Sequence, residues 1–261
     1  MSERRTIKHA AVLLVLAFLS GAPAGAQDPP AADESSVEPI RLIDCPTAGL
    51  VGKGHFGVDL RFFPQGGVLG QLNAGVLDRL SIGLSFGGEQ IVGDQAVDWY
   101  PRVEPAIRYR VIEESTSLPG LVLGYETQGY GTYRAGRYQI KSKGVFLALS
   151  KNYTGPLGQF GLHGGLNLSR ENSDNDKDLS GWLGLDKSIN ADLGLVGEYD
   201  LATNDNNHLA LGTGNGYLNV GAHWSVVPNL SLSLLFKDLL GNGKDKADMS
   251  RELAVRYTEE F

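Results

Sequence analysis

From about residue 53 onward the chain alternates apolar and polar positions with period two, in segments of about ten residues. Successive side chains of a strand point to opposite faces, so each segment predicts a strand with one apolar face. Phe56, Val58, Leu60 and Phe62 share a face against Gly57, Asp59 and Arg61. Leu80, Ile82, Leu84 and Phe86 alternate with Ser81, Gly83, Ser85 and Gly87. Such segments fall at 53–63, 68–77, 79–89, 102–112, 120–130, 138–152, 157–169, 178–188, 192–202, 216–226 and 230–239, followed by a C-terminal run. The sixth is long and does not declare its face. Pro105, in the fourth, predicts a bulge or a break in the ladder, because proline has no N–H to give.

The last segment sets Leu253, Val255 and Tyr257 against Glu252, Ala254, Arg256 and Thr258, and ends on Phe261, with Glu259 the one break in the alternation. An apolar face closed by a terminal aromatic resembles the final strand of a bacterial outer-membrane barrel. There Leu253, Val255, Tyr257 and Phe261 would be the signal read by the barrel-assembly machinery. The connections carry an independent signal. Gln90–Pro101, Tyr130–Arg137, Glu171–Lys177, Thr203–Asn215 and Gly241–Ser250 are long and polar, whereas Asp78–Arg79, Thr154–Pro156, Ile189–Ala191 and Val227–Asn229 are short. Short turns on one side and long loops on the other suit a transmembrane barrel. The expected fold is all-β, an antiparallel up-and-down transmembrane barrel of about twelve strands (10–14), with both termini on the periplasmic side. Tyr109, Trp224 and Tyr257 would form an interfacial aromatic belt there. A soluble sandwich or lipocalin-like barrel would show the same alternation. The even strand number, the loop asymmetry, the terminal phenylalanine and a leader separate the two.

That leader is Arg4, Arg5 and Lys8, an apolar run from Ala10 to Leu19, and Ala24-Gly25-Ala26. It predicts a secretory signal over 1–26, with a run too short to span a bilayer. The Arg4-Arg5 pair lacks the rest of a twin-arginine signal. Residues 27–52 then form a periplasmic tail, its 27–47 stretch rich in Pro, Ala, Ser and acid, or a loose plug, and 53–261 the barrel. The whole chain carries −7. Without 1–26 it has 20 basic and 29 acidic residues, a balance of −9 that excludes nucleic acid as a natural partner. Thirty-five glycines and only 11 prolines suit many strands with tight turns. Cys45 is the only cysteine, which excludes an internal disulfide and a cysteine metal cluster.

If the apolar face meets lipid, the other face lines the lumen. It carries Asp59, Arg61, Glu104, Arg108, Arg110, Glu126, His163, Asp186, Glu198, Asp200, His223, Lys237, Glu252 and Arg256. Two readings follow. Mutually neutralising pairs could fill a narrow interior. Alternatively Arg61, Arg108, Arg110 and Arg256 could guide anionic solutes through water. His223 and Ser225 share a strand face, but a nucleophilic site also needs an orienting group and an oxyanion partner, so no enzyme is expected. His163 reads as a lumen hydrogen-bonding residue. Asp174-Asn175-Asp176-Lys177-Asp178 begins like a calcium loop but has Leu179 for the turn glycine and Leu185 for the closing acid. Gly212–Gly216 lacks the lysine and helix of a phosphate loop. No cofactor or metal is expected. The expected partners are outer-membrane lipid, the assembly machinery and a small or polysaccharide solute.

The stretches IDCPTAG (43–49), FFPQGGVLGQLNAGVLDRLSIGLSFGGEQIVG (62–93), GYETQGYG (124–131), KSKGVFLALSKNY (141–153) and KDLLGNG (237–243) resemble an uncharacterised group of bacterial outer-membrane β-barrel proteins. The group is often labelled YjbH-like, after a larger protein connected with exopolysaccharide production. The resemblance implies a barrel and an envelope-polysaccharide connection, and supplies no catalytic residues. The expected function is therefore a narrow channel or export-associated barrel. Its rival is a non-conducting structural or interaction barrel with a charge-plugged lumen.

Overall fold

The computed structural model describes residues 39–155, 158–244 and 249–261. The expected signal segment, 1–26, and the tail to residue 38 lie outside the described residues. Twelve strands build one barrel: β1 His55–Phe63, β2 Gly67–Leu77, β3 Leu80–Glu89, β4 Glu104–Ile112, β5 Gly120–Glu126, β6 Gly144–Gly155, β7 Gly158–Leu168, β8 Ser180–Ser188, β9 Leu193–Asp200, β10 Tyr217–Val227, β11 Leu230–Lys237 and β12 Ser250–Glu260. Every strand pairs antiparallel with its sequence neighbours. The sheet closes where β12 pairs with β1, from His55↔Glu260 to Phe62↔Leu253. Closure leaves no edge strand, which is what a bilayer without water demands of a sheet.

The alternation predicted by the sequence decides the two faces. Leu60, Leu72, Leu84, Ile107, Leu123, Leu147, Leu185, Leu195 and Leu234 stand exposed on the outside, forming an apolar belt. Tyr109, Trp224 and Tyr257 are also exposed, toward the short-turn rim. A closed, helix-free barrel with an apolar exterior is a transmembrane barrel of the outer-membrane type. Leu72 lies mid-strand, opposite Val58 on one side and Leu84 on the other. Leu72→Arg is expected to cost about 2–4 kcal/mol of folding free energy, as a charge near the bilayer midplane does. Urea titration in vesicles, read by gel mobility, checks this; an unchanged midpoint would mean the belt does not face lipid.

The fourth strand differs from expectation. Pro105 pairs with Leu84 in unbroken register. Its carbonyl accepts the Thr127 N–H at 3.3 Å, and β4–β5 pairing begins only at Ala106↔Glu126. The N–H and C=O of one strand residue point the same way, so the missing donor would face the end of β5. No ladder bond is lost, and the irregularity sits at Arg110/Ile112 instead. The segment 138–152 also resolves differently. Only 144 onward joins the barrel. Arg137–Ile140 pairs with Tyr130–Arg134 in a hairpin within the long β5–β6 connection. This hairpin folds inward, and Tyr130, Arg137, Tyr138 and Ile140 are buried.

The candidate site: a finger in the lumen

Residues 39–52 run inside the barrel. Ile40 to Val51 are all buried, and Cys45 is fully so. The segment is a short hairpin: Arg41 bridges Pro46, Leu42 N–H donates to Cys45 O, and Thr47 N–H donates to Ile40 O. It joins β1 at the short-turn rim, where Gly54 N–H bonds Gly75 O and Phe261 N–H bonds Gly54 O. We call this segment the finger. Its tip holds Leu42 to Cys45. Two glycines make room for it: a Cβ on Gly184 would strike Leu42, and one on Gly75 would strike the Gly52 carbonyl.

The lumen grips the finger chiefly through charge. The Glu198 carboxylate of β9 accepts the successive N–H groups of Ile43 at 3.0 Å, Asp44 at 3.0 Å and Cys45 at 2.9 Å. Asn219 Nδ2 donates a fourth bond at 2.8 Å. Converging backbone donors of this kind form a nest for an anion. Asp44 reaches Arg61 Nη2 at 2.8 Å and Lys237 Nζ at 2.7 Å. Both cations also meet Glu252, at 2.5 and 3.5 Å. Arg41 donates to Gln71 at 2.8 Å and to the Tyr130 hydroxyl, and lies 3.8 Å from Glu126. Arg108 pairs with Glu126 at 2.9 Å and donates to the Ile40 carbonyl. Trp182 Nε1 donates to Pro46 O at 3.0 Å. Apolar contacts fill the gaps. Leu42 and Ile43 pack on Val196 and Leu235, and Cys45, Ala48 and Leu50 pack among Val122, Phe146, Ala148 and Trp182. The Tyr130 ring lies under three cations, Arg61 at 4.6 Å, Lys237 at 5.2 Å and Arg41 at 5.9 Å.

The remaining inward residues also have partners. Asp59 pairs with Arg256 at 2.5 Å, and Glu104 with Arg102 at 2.9 Å. Asp200 pairs with Lys143. Arg110 donates to the Ala48 carbonyl at 3.2 Å. His163 lies 2.6 Å from Asp186 and 2.7 Å from Ser150. His223 is bonded to Ser233 at 2.6 Å across β10–β11, so the pairing with Ser225 suggested by their shared face is not formed. Arg41, Asp44, Tyr130, Lys143, Ser150 and Trp182 were not among the lumen residues read from the sequence. The signal for the first two was present: 39–52 breaks from the acidic, proline-rich tail into Ile40, Leu42, Ile43, Leu50 and Val51.

From the long-loop side, the 127–143 connection forms a lid. Arg137 Nη1 reaches Asp174 and Asp205 at 2.6 Å each, and Lys141 reaches Asp174 at 2.8 Å. Asp174, from the run that begins like a calcium loop, therefore neutralises two cations of the lid. Tyr217 donates to Asp205 at 2.7 Å. Glu171 accepts Tyr138 N–H at 2.8 Å and Ser142 N–H at 2.5 Å. Burial still pushes its carboxyl from 4.5 up to about 7, against those two bonds and the Arg137 charge. The sign follows from the proton count. The folded lid holds a proton that an opened lid releases, so Glu171 supports closure below about pH 4.5, and that support fades as pH rises through about 7. Amide exchange over 130–143, corrected for intrinsic rate, should loosen across this window, by about 3 kcal/mol at most. Glu171→Gln should flatten the dependence; an identical profile in that variant would assign it elsewhere.

Between the lid and the barrel wall lies a cavity of about 50 Å³, lined in part by Phe63, Ile140, Tyr217, Lys237 and Glu252. A second, of about 10 Å³, lies beside Ile40, Asp59 and Arg256. These have room for a few waters at most and fall far below the roughly 300 Å³ of a small-molecule pocket.

No family model and no curated protein matches the chain. Among solved structures it is similar to the NanC porin, at 11% identity and a TM-score of 0.44, covering 77% of this chain and 98% of that one. It is also similar to the KdgM porin, at 11% identity and a TM-score of 0.47, covering 78% and 98%. The same porin in complex with disordered oligogalacturonate gives 12% identity and a TM-score of 0.49, with the same coverage.

Proposed function

We propose that this barrel is a porin-like conduit held closed by its own finger. The observation that carries the reading is the Glu198 nest, in which one lumen carboxylate takes three successive finger N–H groups. A seal made of charges and hydrogen bonds can be handed to water group by group when the finger leaves. A purely apolar plug would strand its partners. The vacated lumen would present paired charges, the amides of Gln71, Asn73 and Asn219, and the rings of Tyr130 and Trp182. That lining suits a small polar or hydroxyl-rich solute, and the polysaccharide connection implied by the YjbH-like resemblance belongs to this reading. We place the short-turn rim and both termini in the periplasm, with Leu253, Val255, Tyr257 and Phe261 addressing the assembly machinery.

A second reading is favoured by the Arg137 clamp, which closes the opposite mouth. A barrel shut at both ends could serve through its loops alone. Planar-bilayer recording decides between them. Full-length protein is expected to be silent and Glu198→Ala to show discrete steps. Silence from both, with the barrel shown folded by heat-modifiable mobility, would sink the conduit and leave the interaction barrel.

A further inference from the structure

Three adjacent strands bring together a serine, a histidine and an aspartate that no single strand reveals. Ser150 of β6 and His163 of β7 are directly opposed in register. Asp186 of β8 lies opposite Gly161, two residues before the histidine. Ser150 Oγ is 2.7 Å from His163 Nδ1, and His163 Nε2 is 2.6 Å from Asp186 Oδ1. An ionised carboxylate can only accept, so the neutral imidazole places its proton on Nε2. Nδ1 is then the acceptor for the serine hydroxyl, which is the arrangement of a nucleophile, its base and the group that orients the base. The packing is specific: a Cβ on Gly161 would collide with His163 Nε2 and Asp186 Oδ1. The Asp186 side chain keeps 31% of its exposure, so the relay borders the open rim.

The finger covers the serine. Ala48 N–H donates to Ser150 Oγ at 2.8 Å, and the Ala48 carbonyl accepts from Arg110 at 3.2 Å. Two consecutive peptide units of the finger thus lie before the nucleophile: the N–H of Thr47–Ala48 meets Oγ, and the oxygen of Ala48–Gly49 sits on the guanidinium. The first presents an N–H, not a carbonyl carbon, to Oγ, and so fills the place without reacting.

We propose that Ser150 and His163, oriented by Asp186, form a masked acyl-transfer site whose substrate class is a carboxylic ester. Arg110 takes the oxyanion. The proposal rests on the finger being displaceable. Oγ attacks the carbonyl carbon while its proton passes to Nδ1, and the π pair moves to the oxygen facing Arg110. Collapse expels the alcohol, which takes that proton from the imidazolium. Water, deprotonated in turn by His163, cleaves the acyl-serine to the carboxylic acid and restores the hydroxyl.

The test is labelling of the full-length protein with a small fluorophosphonate, with peptide mapping by mass. Glu198→Ala loosens the finger, and Ala48→Pro puts a ring Cδ where the N–H now meets Ser150 Oγ at 2.8 Å, forcing the finger off the serine. Both are expected to form an adduct on Ser150 at least about 100-fold faster than the unaltered chain, a span within general-base catalysis. Adding Ser150→Ala abolishes it, His163→Ala slows it by a similar factor, and Asp186→Glu restores part of what Asp186→Asn loses. Bilayer recording of the same preparations reports finger release separately, so failure of the conduit reading and failure of the serine are distinguishable. No adduct on Ser150 in either variant, with the barrel folded, overturns the proposal, as does an adduct indifferent to His163.

Discussion

Glu198→Ala is expected to release the finger while leaving the barrel closed on itself. The substitution strips the acceptor from three finger N–H groups and from the Asn219 amide at once. Hydrogen bonds to a charged group are each worth about 1.5–3 kcal/mol. The net loss is smaller than their sum, because the lumen is polar and water can enter beside the tip. A loss of about 4 kcal/mol lowers the ratio of seated to released finger by about a thousandfold. The strand ladder loses nothing, since only the side chain of residue 198 changes. Two measurements read the outcome: conductance in a bilayer, and trypsin cleavage after Arg41, which is buried beside Tyr130 and Glu126. Cleavage should accelerate by at least about a hundredfold. Glu198→Gln keeps one acceptor oxygen and should fall between. If Arg41 in the alanine variant stays as protected as in the native chain, the nest does not hold the finger.

Much of the barrel was legible because lipid imposes a two-residue rhythm that nothing else in the chain needs. The strands around Leu80–Phe86 and Leu193–Tyr199 could be read face by face. The rhythm misled where a second strand lay next to the first. Arg137–Ile140 alternates like its neighbours, and only the three non-strand residues 141–143 and the left-handed backbone at Gly144, with φ of 61°, separate that lid strand from the barrel strand. The finger was hidden for a different reason. Its residues have no period, and three of their apolar partners, Val196, Leu235 and Trp182, share strand faces with Glu198, Lys237 and Asp186. Ion pairing was expected as a class, but its members depend on register. Arg61 meets Glu252 across 191 positions of sequence, and both meet the tip through Asp44 or Lys237. The Ser150–His163–Asp186 relay needs two registers at once, and neither is written in any one strand.

Arg61→Ala is expected to destabilise the protein by about 3–5 kcal/mol, the usual consequence of removing one member of a buried ion pair. Arg61 is 5% exposed and serves two carboxylates, Glu252 at 2.5 Å and Asp44 at 2.8 Å. Its loss leaves both acids to Lys237, which reaches Asp44 at 2.7 Å but Glu252 only at 3.5 Å. The stacking of the guanidinium on Tyr130, at 4.6 Å, goes with it. The double variant Arg61→Ala/Glu252→Ala removes the stranded acid as well, and leaves Asp44 and Lys237 as a one-to-one pair. It should therefore cost less than the two single changes added, by about 1–3 kcal/mol of coupling. Urea midpoints in vesicles, followed by gel mobility for each corner of the cycle, give the number directly. A cycle that closes to within about 0.5 kcal/mol would show that these charges act independently. The tip of the finger would then owe its place to the Glu198 nest and to the apolar contacts of Leu42 and Ile43.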